Sequence, residues 1–236
     1  MAEGVFSKLD ESLQKALDER EWIPTPVQQV TQDDIAAGKD RLVVAPTGSG
    51  KTMAAILPLL DRCLREEWTG MSILYITPLR ALNRDVDRRL EEITSAVGLT
   101  LGLRHGDTPQ SERNKHVRKP PNVMITTPET FQLMFTGSRL RELLRTVKAV
   151  VIDEIHEIAD GERGWQLSVG LSRLESFKGS PVQKVGLSAT IGNPEQVAKW
   201  LSNDAQPIVA IAPRYTELSV DAIIQTPEDE IGSLEL

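Results

Sequence analysis

Eight residues, Ala45-Pro46-Thr47-Gly48-Ser49-Gly50-Lys51-Thr52, lie between the apolar run Leu42-Val43-Val44 and the helix-forming run Met53 to Leu57. No other feature narrows the fold as much. A buried strand that runs into a glycine-rich turn, which then opens a helix, brings the helix's unpaired N–H groups and positive dipole end to one point. Gly48 and Gly50 let the main chain approach an anion closely, with Thr47 and Ser49 completing the loop. Lys51 then reaches the β- and γ-phosphates and the Thr52 hydroxyl can ligate Mg²⁺. The plainer alternative is a turn with a helix cap. Strand, glycines, Lys-Thr pair and helix in register favour a nucleoside triphosphate site, although position 45 is Ala where the general pattern has Gly.

The remainder of the chain supplies what such a loop needs. Short apolar runs at Ile73–Thr77, Thr100–Leu103, Asn122–Thr126, Val147–Ile152, Val182–Leu187 and Pro207–Ala212 alternate with helical patterns, the signature of an α/β fold with a mainly parallel open sheet and helices on both faces. Phe6 to Leu17 has helical spacing, Thr25-Pro26 opens a second helix, and after the helix that follows the loop Pro78-Leu79 opens the next. At 236 residues and 40% hydrophobic content the chain suits one domain with extensions, at roughly 100–200 residues per domain. The expected division is N-terminal helices over 1–40, the nucleotide-binding domain over 41–212 and a linker over 213–236, whose acidic stretch Thr226 to Glu230 has too little apolar content to pack.

No apolar run approaches the ~18 residues of a membrane span and the start lacks a signal-peptide pattern. A cytoplasmic chain is expected, with nucleoid-associated or nuclear placement also open, and no membrane partner. The single cysteine, Cys63, excludes a disulfide framework and is expected to pack. A net charge of −7 argues against an indiscriminate polyanion binder, so any nucleic-acid surface must be local.

Candidate chemistry gathers at strand ends. Asp153-Glu154 follows the run ending at Ile152; Asp153 can hold Mg²⁺ through water and Glu154 can orient or deprotonate a water attacking the γ-phosphate. Arg80 lies at a strand-to-helix turn, on the edge where open α/β sheets bind ligands, whereas Arg84 and Arg88 read as a solvated stripe offset by acids. Thr127 caps a helix with Pro128 at its first position, and the same exposed N–H groups would accept a nucleic-acid phosphate. Ser188-Ala189-Thr190 ends a strand expected beside the one bearing Asp153. Gln28 leaves two readings open: Thr-x-x-Gln is a capping box, and a side-chain amide also matches the donor and acceptor of an adenine edge. His105 and His116 are expected to face solvent, and Trp165, Leu167, Val169, Leu171 and Leu174 to pack one helix.

Taken together, PTPVQQ (24–29), APTGSGKT (45–52), TPLRALNRDV (77–86), RHGDT (104–108), TTPE (126–129), DEIHE (153–157), GERGWQL (161–167) and GLSATIGNPEQVAKWL (186–201) give the chain a family likeness. It resembles the first RecA-like motor domain of superfamily 2 helicases, most closely the large helicase-related (Lhr-type) group, over about residues 6–212. The resemblance implies that Gln28 contacts adenine, that Lys51, Thr52, Asp153 and Glu154 serve ATP and Mg²⁺, and that Arg80, Gly106, Thr127 and Glu129 lie along a DNA or RNA backbone. It further implies that His156, Ser188 and Thr190 couple the two sites, that Phe6 packs near the base, and that a second RecA-like domain completes the machine. Two rivals stand beside a helicase: a phosphate-loop NTPase or kinase with no nucleic-acid role, and an ATP-gated nucleic-acid clamp without turnover. The choice between DNA and RNA has no signature in the sequence.

Overall fold

The structure, a computed structural model, describes residues 4–78, 84–159, 161–189 and 191–210, the side chains of 84–87 excepted. The expected Arg80, Thr190, the helix start at Leu79 and the stretch from 211 onward lie outside the described residues. Each short apolar run forms a strand: β1 (Arg41–Val44), β2 (Ile73–Ile76), β3 (Leu101–Arg104), β4 (Val123–Thr126), β5 (Ala149–Ile152), β6 (Gln183–Ser188) and β7 (Gln206–Val209). They form one sheet in the order β3-β4-β2-β5-β6-β1-β7, parallel in every ladder. The register lines up the strand ends, with Ile76 opposite both Thr126 and Ile152, and Val44 opposite both Ser188 and Val209.

Helices α1 (Glu11–Asp18), α2 (Pro26–Ala36), α3 (Lys51–Arg65), α4 (Arg84–Ala96) and α5 (Gln110–Arg118) occupy the first half of the chain. The second half contributes α6 (Pro128–Met134), α7 (Ser138–Leu143), α8 (Glu162–Lys178) and α9 (Pro194–Leu201). Successive strand residues point to opposite faces, and this splits the core in two. Val43, Tyr75 and Val151 pack with Leu13, Ile35, Ile56 and Leu90 of α1 to α4. Leu42, Val44, Ile76 and Ile152 pack with Phe131, Leu171 and Leu201 of α6, α8 and α9 on the other face. Helix α3 runs through Pro58. A proline there cannot bond back to the Ala54 carbonyl; the Thr31 hydroxyl of α2, which donates to the Val27 carbonyl at 2.8 Å, lies 3.5 Å from that Ala54 oxygen.

Three sequence expectations are corrected. Phe6 to Leu17 is not one helix: a 3-10 turn (Val5–Lys8) precedes α1. Asp10 breaks the pattern because its carboxylate accepts the Ser12 N–H at 2.9 Å and its own N–H goes to Asp61 at 2.6 Å. Helix α8 turns Gly164, Leu167, Gly170, Leu171 and Leu174 inward and leaves Trp165 72% and Val169 57% exposed, because the two glycines allow a close approach that a larger face cannot make. His116 is buried rather than solvent-facing, its ring lodged against Gly102 of β3 with Nε2 only 3.1 Å from where a Cβ there would stand.

Candidate functional site

The loop after β1 takes the left-handed backbone that glycine permits at Gly48, φ 77°, and again at Gly50, φ 93°, which caps the start of α3. Gly50 also faces α2 so closely that a Cβ would come 2.7 Å from the Gln28 amide nitrogen. Gln28 is 2% exposed. Its Oε1 accepts the Thr25 N–H at 3.0 Å and its Nε2 donates to the Gly50 carbonyl at 3.3 Å. The capping geometry is therefore present, and the same amide fastens α2 to the phosphate loop.

Lys51 is 7% exposed and folds back over the loop, Nζ donating to the carbonyls of Ala45 at 2.7 Å and Pro46 at 3.1 Å. Burial lowers its pKa, opposed by the charges of Glu154 and Asp153. A desolvated ammonium held only by carbonyls has lost more hydration than it has regained, which suits a site that receives an anion. The hydroxyl of Ser49 in the same loop is buried without a hydrogen-bond partner.

Asp153 stands just past the end of β5, its N–H bonded to the Ile76 carbonyl at 2.8 Å. Burial raises its pKa, against the hydrogen bonds of Tyr75 and the Glu154 N–H and the charge of Lys51. Glu154 is likewise raised, first by burial and then by Asp153. It is one of three non-glycine residues with positive φ among those described, at φ 47°. A side chain in that region costs of order 1–3 kcal/mol and is retained where surrounding structure dictates it. The turn sends the main chain into a 3-10 segment (Ile155–Glu157) and aims Glu154 along the strand-end edge.

His156 joins this group. Its Nδ1 lies 3.4 Å from the Glu154 carboxylate and 3.2 Å from the Ser188 hydroxyl. Ser188 is fully buried at the end of β6 and its carbonyl accepts the Ala45 N–H at 3.1 Å. One residue thus reaches the carboxylate pair through His156 and touches the phosphate loop through its own backbone. The strands that carry these groups, β5, β6 and β1, are adjacent in the sheet.

The other candidates leave the neighbouring strands. Gly106 follows β3 in a loop pinned by Arg113, whose guanidinium donates to the carbonyls of His105 at 3.1 Å and Gly106 at 2.5 Å. Thr127 caps α6, accepting the Thr130 N–H at 3.3 Å. Glu129 in the first turn pairs with Arg163 of α8 at 2.6 Å. Gly106 and the Thr127–Glu129 turn therefore share one edge of the sheet, on β3 and β4, away from Lys51 and Asp153 on β1 and β5. Arg88, on α4, is solvated and faces Glu92 at 3.6 Å. Tyr75, which sequence reasoning passed over, touches Asp153 directly; a lone tyrosine inside an otherwise aliphatic strand was the available signal.

Among the described residues no three His, Cys, Asp or Glu side chains gather as a metal cluster. A cation would rest on Thr52, Asp153 and nucleotide phosphates, and the buried carboxylate facing Lys51 fits that arrangement. No helix among the described residues is long and apolar enough to cross a membrane.

Residues 25–197 match the DEAD/DEAH box helicase family. The Lhr helicase/probable uracil glycosylase of Mycolicibacterium smegmatis is 39% identical over 92% of this chain and 16% of its own length. ATP-dependent helicase Lhr-Core of Methanothermobacter thermautotrophicus is 36% identical over 88% of this chain and 26% of its own. The solved structure of Mycobacterium smegmatis helicase Lhr bound to ssDNA and AMP-PNP superposes with a TM-score of 0.80 at 36% identity, over 89% of this chain and 28% of that one. This chain thus spans about a quarter or less of the curated relatives it is compared with. With the phosphate loop, the paired acids and the strand-end serine on one parallel sheet, the family match over most of its length establishes that the chain belongs to the DEAD/DEAH box helicases.

Proposed function

We propose that the chain is the ATP-binding motor domain of a DNA or RNA helicase or translocase, in which hydrolysis of MgATP drives movement along nucleic acid once a second RecA-like domain is engaged. The observation that carries this reading is the division of the strand-end edge. Residues suited to phosphate chemistry leave β1, β5 and β6, and the helix cap and glycine loop suited to a polynucleotide backbone leave β3 and β4. The sequence bearing Arg80 follows β2, which lies between the two groups.

In this reading Lys51 and the N–H groups opening α3 bind the β- and γ-phosphates. Thr52 and Asp153 hold Mg²⁺, which when bound neutralises phosphate charge as it develops. Glu154, lifted by burial, orients the attacking water and accepts its proton. His156 relays the state of Glu154 to Ser188, and Ser188 to the loop. Gln28 holds α2 against the loop while its remaining hydrogen-bonding capacity meets adenine. Thr127 and the start of α6, with Gly106 and Arg80, carry the polynucleotide backbone.

The test is Glu154→Gln in the full-length parent, measured for ATP hydrolysis with matched DNA and RNA strands. Retained MgATP binding with turnover reduced at least ~100-fold is expected, the usual scale for a general base; unchanged turnover removes Glu154 from this role. Nucleotide binding indifferent to both polynucleotides would favour the NTPase or kinase reading, and a wild-type parent without turnover the clamp. By itself the 236-residue chain should turn over slowly, since an arginine finger from a partner domain contributes about 10³–10⁵ in rate.

A further inference from the structure

Tyr75 occupies the middle of β2, 1% exposed, with Val151 of β5 opposite it in register. Side chains two apart on a strand share a face, so Val151 and Asp153 both lie on the side of the sheet toward which Tyr75 points. The phenol extends past Val151, and its hydroxyl donates to the Asp153 Oδ2 at 2.5 Å. The Thr52 side chain, at the start of α3, stands beside that phenol. The other carboxylate oxygen of Asp153, Oδ1, accepts the Glu154 N–H at 2.9 Å.

Packing does not require this hydroxyl. A phenylalanine would fill the same volume between α3 and the sheet, whereas a buried hydroxyl is unfavourable unless it is bonded. Its bond goes to one of the two side chains that the proposed function assigns to Mg²⁺, and it stands beside the other. The two side chains come from the start of α3 and the end of β5, elements that do not pair with each other in the sheet.

We propose that Tyr75 is a positioning residue of the Mg²⁺ site, its hydroxyl fixing the Asp153 carboxylate beside Thr52 so that the two metal-binding groups stay in register. The proposal rests on the reading of those two residues as the ones that hold the ion beside ATP. With Oδ2 held by Tyr75 and Oδ1 by the Glu154 N–H, the carboxylate plane is set from both sides, leaving the remaining lone pairs for the ion's water. Partners of this outer kind commonly change metal affinity ~10–100-fold without touching the ion.

The experiment uses the 236-residue chain and Tyr75→Phe. Mn²⁺, standing in for Mg²⁺, is titrated by electron paramagnetic resonance in the presence of a non-hydrolysable ATP analogue, and the analogue's own affinity is measured in chelator. The expected result is Mn²⁺ affinity weakened about 10-fold with metal-free analogue affinity unchanged. Unchanged Mn²⁺ affinity, or an equal loss in chelator, would overturn the positioning role. A wild-type chain whose analogue affinity ignores Mn²⁺ would overturn the metal reading itself and the proposal with it. A second measurement does not depend on the variant folding. The chain has two tyrosines, so fluorotyrosine labelling yields two fluorine resonances, assigned with Tyr215→Phe. The Tyr75 resonance should move when Mg²⁺ joins the analogue-loaded chain; a resonance that shifts with analogue alone and ignores Mg²⁺ overturns the proposal.

Discussion

Gln28 and Gly50 meet where α2 leans on the phosphate loop, and a single methyl group tests that seam. In Gly50→Ala the new Cβ would stand 2.7 Å from the Gln28 nitrogen and 3.1 Å from the Thr25 hydroxyl, on a backbone at φ 93°. Gly48→Ala carries a similar φ of 77° with nothing within 4 Å. Both variants incur the left-handed backbone cost of about 1–2 kcal/mol, and only the first must also displace Gln28. Urea unfolding should show Gly50→Ala destabilised by about 1–3 kcal/mol more than Gly48→Ala, the scale of overpacking; equal losses would mean that the Gln28 contact contributes nothing. The sequence marked Lys51, Asp153 and Glu154 by type and spacing, and His156 and Ser188 through the family resemblance. It left Gln28 between two readings because a capping amide and an adenine-facing amide share one pattern, and it missed Tyr75 because a phenol in an apolar strand looks like core until the neighbouring strand is known.

Among the elements, α6 and α8 depend most on close approach. Gly170 of α8 lies against the Gln132 amide and the Phe131 ring, which a Cβ would meet at 2.8 Å, and Gln132 also donates to the Gln166 carbonyl at 2.5 Å. Gly170→Ala should push the helices apart at a cost of about 1–3 kcal/mol and shift the α6 start that bears Thr127 and Glu129. The measurable consequence is weaker single-stranded DNA binding by fluorescence anisotropy with analogue binding preserved; unaltered DNA affinity would detach α6 from the proposed backbone track. All seven strands are legible as apolar runs; for the central ones this follows because a strand buried on both faces needs an apolar segment, whereas the edge strands β3 and β7 are only partly buried. The helices were read less well. Helical spacing continued through Asp10, where side-chain bonds to the backbone end the pattern, and it counted Trp165 and Val169 as packing residues because spacing alone does not say which stripe a helix turns inward.

At the scale of the whole molecule, Cys63 reports on how the sheet and its helices open together. It is 2% exposed in α3, and burial pushes its thiol pKa up to about 11. The thiolate is the reactive form, so at pH 8 a disulfide reagent should leave the native chain unmodified and titrate one thiol after denaturation. Modification should accelerate as pH rises toward that value. Where labelling requires global opening, the ATP analogue at ~100 times its Kd should slow it by about 100-fold. Prompt labelling that ignores nucleotide would instead place a local opening at α3.

Strand and helix identity, the phosphate loop and the paired acids followed from the sequence because each depends on a few consecutive residues: an apolar run, a cap, a glycine with its lysine. Beyond the neighbourhood of β5 and β6 expected for Asp153 and Ser188, the tertiary structure alone decided strand order, the division of the sheet edge and the pairings that give the site its geometry. Tyr75 meets Asp153 across 78 positions of sequence, and His156 meets Ser188 across 32. Such contacts come from parallel strands brought together through long crossovers. Their register is set by which faces bury apolar surface over the whole sheet, a property that no local window of sequence contains.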